Sequence, residues 1–132
     1  MKLRYLFLLN ALVALIFAAG LLLAPKTMLG LFHLSVGSTV SFNATLNFLA
    51  QLLGASLILP GLLTWLAGSM ADAGARRSVA ISLFVFQIAG LAVSLLGMLS
   101  KVMSVTGWVI VGLFLFFALG YAYFLFMRQS EI

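Results

Sequence analysis

The sequence predicts an all-α integral membrane protein, a four-helix transmembrane bundle with a short interfacial helix between spans one and two. Three observations favour this fold class. The 132 residues are 65% hydrophobic, well above the roughly 45–50% of an average soluble domain. Only 7% are charged, where about 25% is usual. The nine charged residues leave uncharged stretches of 21, 45, 23 and 26 residues, each long enough to cross a bilayer.

This composition excludes a soluble globular domain, a disordered chain and a soluble nucleic-acid-binding domain. The net charge of +5 comes from seven Lys and Arg residues, which lie in short segments beside the apolar runs. We therefore interpret them as signals of membrane topology, and we expect no nucleic-acid partner. The absence of cysteine excludes disulfides, thiolate metal sites and cysteine nucleophiles.

The first span is predicted at residues 5–24, directly after Lys2 and Arg4. Its apolar run is longer than the roughly 7–15 residues of a signal-peptide core, so we expect it to be retained. Pro25 follows the run and ends it.

The 45-residue uncharged stretch, residues 27–71, is too long for one span. As a single helix it would measure about 68 Å, twice the thickness of the hydrocarbon core. Gly and Ser/Thr residues dominate 35–41 and predict a loop. Residues 26–34 then form the interfacial helix, and residues 42–68 form the second span. Ser41 is a candidate helix cap, and Pro60-Gly61 predicts a kink.

The third span is predicted at residues 78–100, after a turn that carries Arg76 and Arg77. The fourth span is predicted at residues 106–127. The whole chain, 1–132, forms one membrane domain. Five Lys or Arg residues fall on the side of the N-terminus and two on the other side. This bias and the even number of spans predict both termini in the cytoplasm. Aromatic interface anchors are predicted on the inner side at Tyr5, Trp65, Tyr121 and Tyr123, and on the outer side at Trp108.

Small and polar residues at helical spacing predict where the spans pack together, because close backbone approach and interhelical hydrogen bonds hold membrane helices together. For Asn10 and Gln87 we expect hydrogen bonds worth about 0.5–2 kcal/mol each. The predicted packing residues are Asn10, Gln87, Gly90, Ser94, Gly97, Gly112 and Gly120.

Three amides, Asn43, Asn47 and Gln51, share one face at the start of the second span. One interpretation is a hydrated helix end that also packs within the bundle. The other is an outward-facing pocket for a lipid headgroup, a quinone-like ring or the backbone of a partner. These amides are our candidate ligand or partner contacts.

No ionisable residue lies inside a predicted span, which argues against proton-coupled transporters, proton pumps and voltage sensors. The acidic residues, Asp72 and Glu131, and the single histidine, His33, supply neither a nucleophile–base pair nor a metal site. We therefore expect no enzyme activity, no cofactor and no metal. Lys26 and His33 are predicted to contact lipid headgroups at the interface.

Four short strings resemble small, uncharacterised four-helix inner-membrane proteins of bacteria. They are Leu23-Ala24-Pro25, Gln51-Leu52-Leu53-Gly54-Ala55, Arg76-Arg77 and Ala118-Leu119-Gly120-Tyr121. The resemblance covers most of the chain, transfers no catalytic residue and implies no activity.

The function expected from the sequence is that of a non-catalytic accessory or structural subunit. It would pack in a homo-oligomer or a larger membrane complex, with membrane lipids and a membrane protein as partners. The alternative is a protein that binds a lipid or a small hydrophobic molecule at the amide pocket. An oligomeric transporter or channel is the third hypothesis.

Overall fold

The computed structural model describes residues 2–31, 44–100 and 105–131, and in these ranges the secondary structure is helical, without β-strands. Its elements are α1 (Leu3–Leu23), α2 (Pro25–Leu31), α3 (Ala44–Ala67), α4 (Ala73–Leu99), α5 (Gly107–Ala122), a π-helical turn (Tyr123–Met127) and a 3₁₀ turn (Gln129–Glu131). Four helical segments are long and apolar enough to cross a membrane: Leu3–Leu23, Thr45–Ala67, Ala73–Leu99 and Gly107–Met127. The predicted fold class is confirmed, including a short helix between the first two spans.

The connection from α1 to α2 is short. The Ala24 N–H donates to the Gly20 carbonyl at 2.9 Å, and Pro25 begins α2 at the position where a missing N–H costs nothing. The predicted loop at 35–41 and the Ser41 cap lie outside the described residues.

The third span begins earlier than the sequence predicts, at Ala73 rather than at residue 78. Asp72 caps α4, because its Oδ2 accepts a hydrogen bond from the Ala75 N–H at 2.8 Å. Arg76 and Arg77 are consequently in the first turns of the helix. The prediction that they form a turn before it is wrong.

Pro60 lies inside α3, which continues on both sides of it. The Thr64 hydroxyl donates to the Pro60 carbonyl at 2.7 Å and lies 3.0 Å from the Gly61 carbonyl oxygen. Thr64 itself is fully buried. Its hydroxyl therefore has local acceptors in an apolar environment. The kink stays a prediction.

The bundle consists of two closely packed pairs of helices. α1 packs mainly against α3, and α4 mainly against α5, while smaller contacts join α1 to α5 and α3 to α4. A cluster of buried apolar residues lies at the end of the bundle where α1 begins and α5 ends. Its members are Leu3, Leu6, Phe7, Ala67, Ala80, Leu83, Phe117, Tyr121, Phe124 and Leu125. All four long spans therefore meet in one core.

Candidate functional site

A buried polar contact joins α1, α4 and α5. The Asn10 side-chain amide donates from Nδ2 to the Tyr121 hydroxyl at 2.9 Å. The Gln87 Nε2 donates to the Asn10 Oδ1 at 3.4 Å. Exposure is 6% for Asn10, 2% for Gln87 and 0% for Tyr121. We call these residues the polar triad. Because unpaired polar groups are costly in an apolar interior, the triad fixes how the three helices are rotated against one another.

The structure thus brings together Asn10 and Gln87, which the sequence singles out as packing residues. The third member, Tyr121, was predicted to be an interface anchor, and that prediction is wrong because its side chain is buried. Phe117, Tyr121 and Phe124 recur every three to four residues, the spacing of a single helix face. That periodicity was the signal for a buried tyrosine. Phe7 adds a ring contact to Tyr121, with the centroids 5.9 Å apart.

The other predicted packing residues of α4 and α5 are buried to different extents, and Gly90 and Gly120 lie against another element. A Cβ added to Gly90 would overlap the Phe114 ring of α5. The buried Ser94 hydroxyl donates to the Gly90 carbonyl at 2.6 Å. Gly97 is half-buried near the end of α4. On α5, a Cβ on Gly120 would lie 3.0 Å from Leu6 of α1.

Glycines also mark the contact between α1 and α3. A Cβ on Gly54 would lie 2.9 Å from the Leu21 Cβ and 3.0 Å from the Ala18 carbonyl oxygen. A Cβ on Gly61 would lie 2.7 Å from Leu15 and 3.6 Å from the Ala14 Cβ. The two backbones are close because these positions carry no side chain. We call this contact the α1–α3 seam.

Gly112 differs from the other predicted packing residues. It is exposed, and a Cβ added there would meet no atom of the described residues within 4 Å. At about 100° per residue it lies about 180° from Tyr121 around α5. It therefore faces away from the described bundle. The prediction that Gly112 packs against another span of the same chain is wrong.

Large apolar side chains surround Gly112 on the outer face of α5. Trp108, Leu115, Phe116 and Leu119 are all exposed and lie three, four or seven residues from it. Helical spacing places these four residues on the same face of α5 as the glycine, which has no side chain, and we call this face the Gly112 notch. A small residue between large side chains is the arrangement into which the ridge of another helix packs.

The amide face is only partly within the described residues, since Asn43 is outside them. Asn47 and Gln51 are both half-buried. Around α3, Asn47 lies about 20° and Gln51 about 60° from Gly54, so both amides border the α1–α3 seam. Whether they bind a ligand stays a prediction.

Of the two predicted interfacial residues, the structure describes one. Lys26 is exposed on α2, whereas His33 lies outside the described residues. Within the described ranges, no three His, Cys, Asp or Glu side chains are grouped closely enough to hold a metal.

Comparison with protein-family models, curated proteins and solved structures gave no match to this chain. The four apolar helices are those of a small membrane protein. The resemblance to bacterial inner-membrane proteins stays a prediction.

Proposed function

We propose that this protein is a non-catalytic accessory or structural subunit of a membrane assembly. It would pack through the Gly112 notch against a copy of itself or against a larger membrane complex. The observation that carries this proposal is the contrast between Gly112 and the glycines inside the bundle. Gly54, Gly61, Gly90 and Gly120 all face another structural element closely, whereas Gly112 faces outward.

An outward glycine brings no benefit to a helix that meets only lipid. Glycine in a helix interior costs about 1 kcal/mol relative to alanine. Lipid tails are as apolar as leucine, so the surrounding large side chains gain little from burial alone. Close approach of a second helix gives the notch a packing role, through van der Waals contacts and short backbone distances.

The non-catalytic part of the proposal rests on the chemistry that the sequence offers. The chain has two acidic residues, one histidine and no cysteine. The Asp72 carboxylate caps α4, which is a structural use of that group.

We also propose a bacterial inner membrane with both termini in the cytoplasm. Lys2, Arg4 and Arg76 line the same cavity, so the starts of α1 and α4 are at one end of the bundle. That end carries most of the basic residues of the chain, as expected for the cytoplasmic side.

The test is association in lipid. We expect wild-type chains in liposomes to associate, by energy transfer between labelled copies, or to co-purify with a defined membrane protein after native-level expression in mild detergent. Gly112→Leu fills the notch and should weaken association about tenfold, or about 1.4 kcal/mol. Ala92→Leu is the matched control, because Ala92 is exposed on α4.

Two results would contradict the proposal. One is a wild-type chain that stays monomeric at high density in lipid and co-purifies with no membrane protein. The other is an equal effect of Gly112→Leu and Ala92→Leu, since the notch would then have no special part in association.

A further inference from the structure

A cavity of about 490 Å³ lies where α1 begins, α3 ends and α4 begins. It is lined by Lys2, Leu3, Arg4, Phe7, Ala67, Gly68, Ser69, Met70 and Arg76. Its volume falls within the roughly 300–1,000 Å³ of small-molecule pockets. Because three of the lining residues are basic, we call it the basic cavity.

The charge of the basic cavity is uncompensated by the residues described around it. Lys2, Arg4 and Arg76 contribute three positive charges, and none of the described residues that line the cavity is acidic. Asp72, the acidic residue nearest in sequence to Arg76, accepts a hydrogen bond from the Ala75 N–H. The N-termini of α1 and α4 carry partial charges of roughly +0.5 each and the C-terminus of α3 roughly −0.5, so the helix ends do not offset the basic side chains. An anion is therefore the complementary ligand.

Arg76 supplies the second observation. Its Nε is buried and has no hydrogen-bond partner among the described residues. A buried donor without an acceptor is costly, and more so when it carries charge. The Arg4 side chain, also in the lining, packs over Gly68, with its Cγ 3.7 Å from the position of an added Cβ.

The position of the basic cavity along the helices indicates its depth. α1 has 21 residues, a length of about 32 Å, which matches the hydrocarbon core of about 30 Å. The first residues of α1 line the cavity, so it lies at the level of the lipid headgroups. Anionic headgroups and soluble phosphate compounds both reach this level.

We propose that the basic cavity binds a phosphate group, either of an anionic phospholipid headgroup or of a soluble phosphate compound. Guanidinium groups present paired N–H donors that match phosphate oxygens, and charge-assisted hydrogen bonds of this kind are strong. Arg76 is the least exposed of the three cations, while the exposed Lys2 and Arg4 add positive charge to the lining.

The experiment uses the full chain in nanodiscs of three kinds. They contain phosphatidylcholine alone, phosphatidylcholine with phosphatidylglycerol, or phosphatidylcholine with inorganic phosphate in the buffer. The readouts are retained lipid by native mass spectrometry and the thermal midpoint of unfolding. Retained phosphatidylglycerol together with a higher thermal midpoint supports a lipid headgroup as the ligand. A higher thermal midpoint with inorganic phosphate supports a soluble ligand. No change with either anion would overturn the proposal.

Two adjacent arginines provide the matched variants. Arg76 lines the cavity, whereas Arg77 is exposed and does not line it. We expect Arg76→Gln to weaken anion binding about tenfold or more, and Arg77→Gln to change it less than about twofold, since distant exposed charges are screened. Equal losses in the two variants would overturn the proposal, because they would indicate attraction by surface charge alone.

A second variant, Arg4→Gln, tests the proposal if Arg76→Gln does not fold. Arg4 is exposed, and Arg4→Gln removes one cavity charge without emptying a buried position. We expect it to weaken anion binding at least about threefold, and binding equal to that of Arg77→Gln would overturn the proposal. Arg76→Lys keeps the charge but loses the paired donors, so binding between wild type and Arg76→Gln is expected.

Discussion

α1 contacts its neighbours in two different ways. On the side of α3, the α1–α3 seam places glycines of α3 directly against α1, and a Cβ on Gly54 would lie 3.0 Å from the Ala18 carbonyl oxygen. On the side of α4 and α5, α1 contributes Asn10 to the polar triad. One contact depends on the absence of side-chain volume, and the other depends on paired polar groups.

The difference shows how a nearly uncharged sequence specifies one arrangement of helices. In lipid there is little hydrophobic force between helices, so packing and hydrogen bonds decide which faces meet. The α1–α3 seam sets the distance between two backbones. The polar triad sets the rotation of three helices, because a rotated helix would leave Asn10 or Gln87 unpaired in an apolar environment.

The largest loss of stability is expected when a side chain is added in the α1–α3 seam. Gly54→Leu would collide with Leu21 and with the α1 backbone, and we expect it to lower the free energy of unfolding by about 3 kcal/mol. The measurement is reversible unfolding in mixed lipid–detergent micelles with at most one chain each. Gly112→Leu is the control, and equal losses for the two variants would contradict a close α1–α3 contact.

A smaller effect is expected from the centre of the polar triad. Asn10→Leu leaves the Tyr121 hydroxyl and the Gln87 amide without this partner, and we expect a loss of about 1–2 kcal/mol in the same unfolding assay. The double variant Asn10→Leu, Gln87→Leu should lose less than the sum of the single variants. Strict additivity would indicate that Asn10 and Gln87 do not interact.

The smallest effect is expected at the edge of the polar triad. Tyr121→Phe removes one hydroxyl and keeps the ring against Phe7, so we expect a loss of about 0.5–1 kcal/mol. Tyr123→Phe is the matched control, because Tyr123 is 40% exposed and its change should be close to zero. A larger loss of stability for Tyr123→Phe than for Tyr121→Phe would contradict a stabilising role of the Tyr121 hydroxyl.

Much of the fold was predictable because nine charges mark the ends of the apolar runs. The sequence predicts the start of α4 too late. Because Asp72 caps the helix, α4 begins before Arg76 and Arg77 and includes both. Tyr121 was missed because an aromatic residue near the end of a span has the composition of an interface anchor. Its helical spacing from Phe117 was the better guide.

The candidate sites were less predictable, since they depend on how the helices are rotated and arranged. Gly112 and Gly120 are eight residues apart, about 80° around the helix, and only Gly120 faces a neighbour closely. The basic cavity joins Lys2 and Arg4 to Arg76, more than 70 positions later. No local pattern indicates that contact, because it follows from the packing of α1 beside the end of α3.

We infer that the α1–α3 seam and the polar triad hold the bundle together internally and that the Gly112 notch serves a partner. The most direct test measures unfolding and association of Gly112→Leu under matched lipid conditions. We predict a free energy of unfolding equal to that of wild type or up to about 1 kcal/mol higher, because leucine is the better helix former, together with association weakened about tenfold. Unchanged association, or a loss of stability equal to that of Gly54→Leu, would contradict these roles of the seam and the notch.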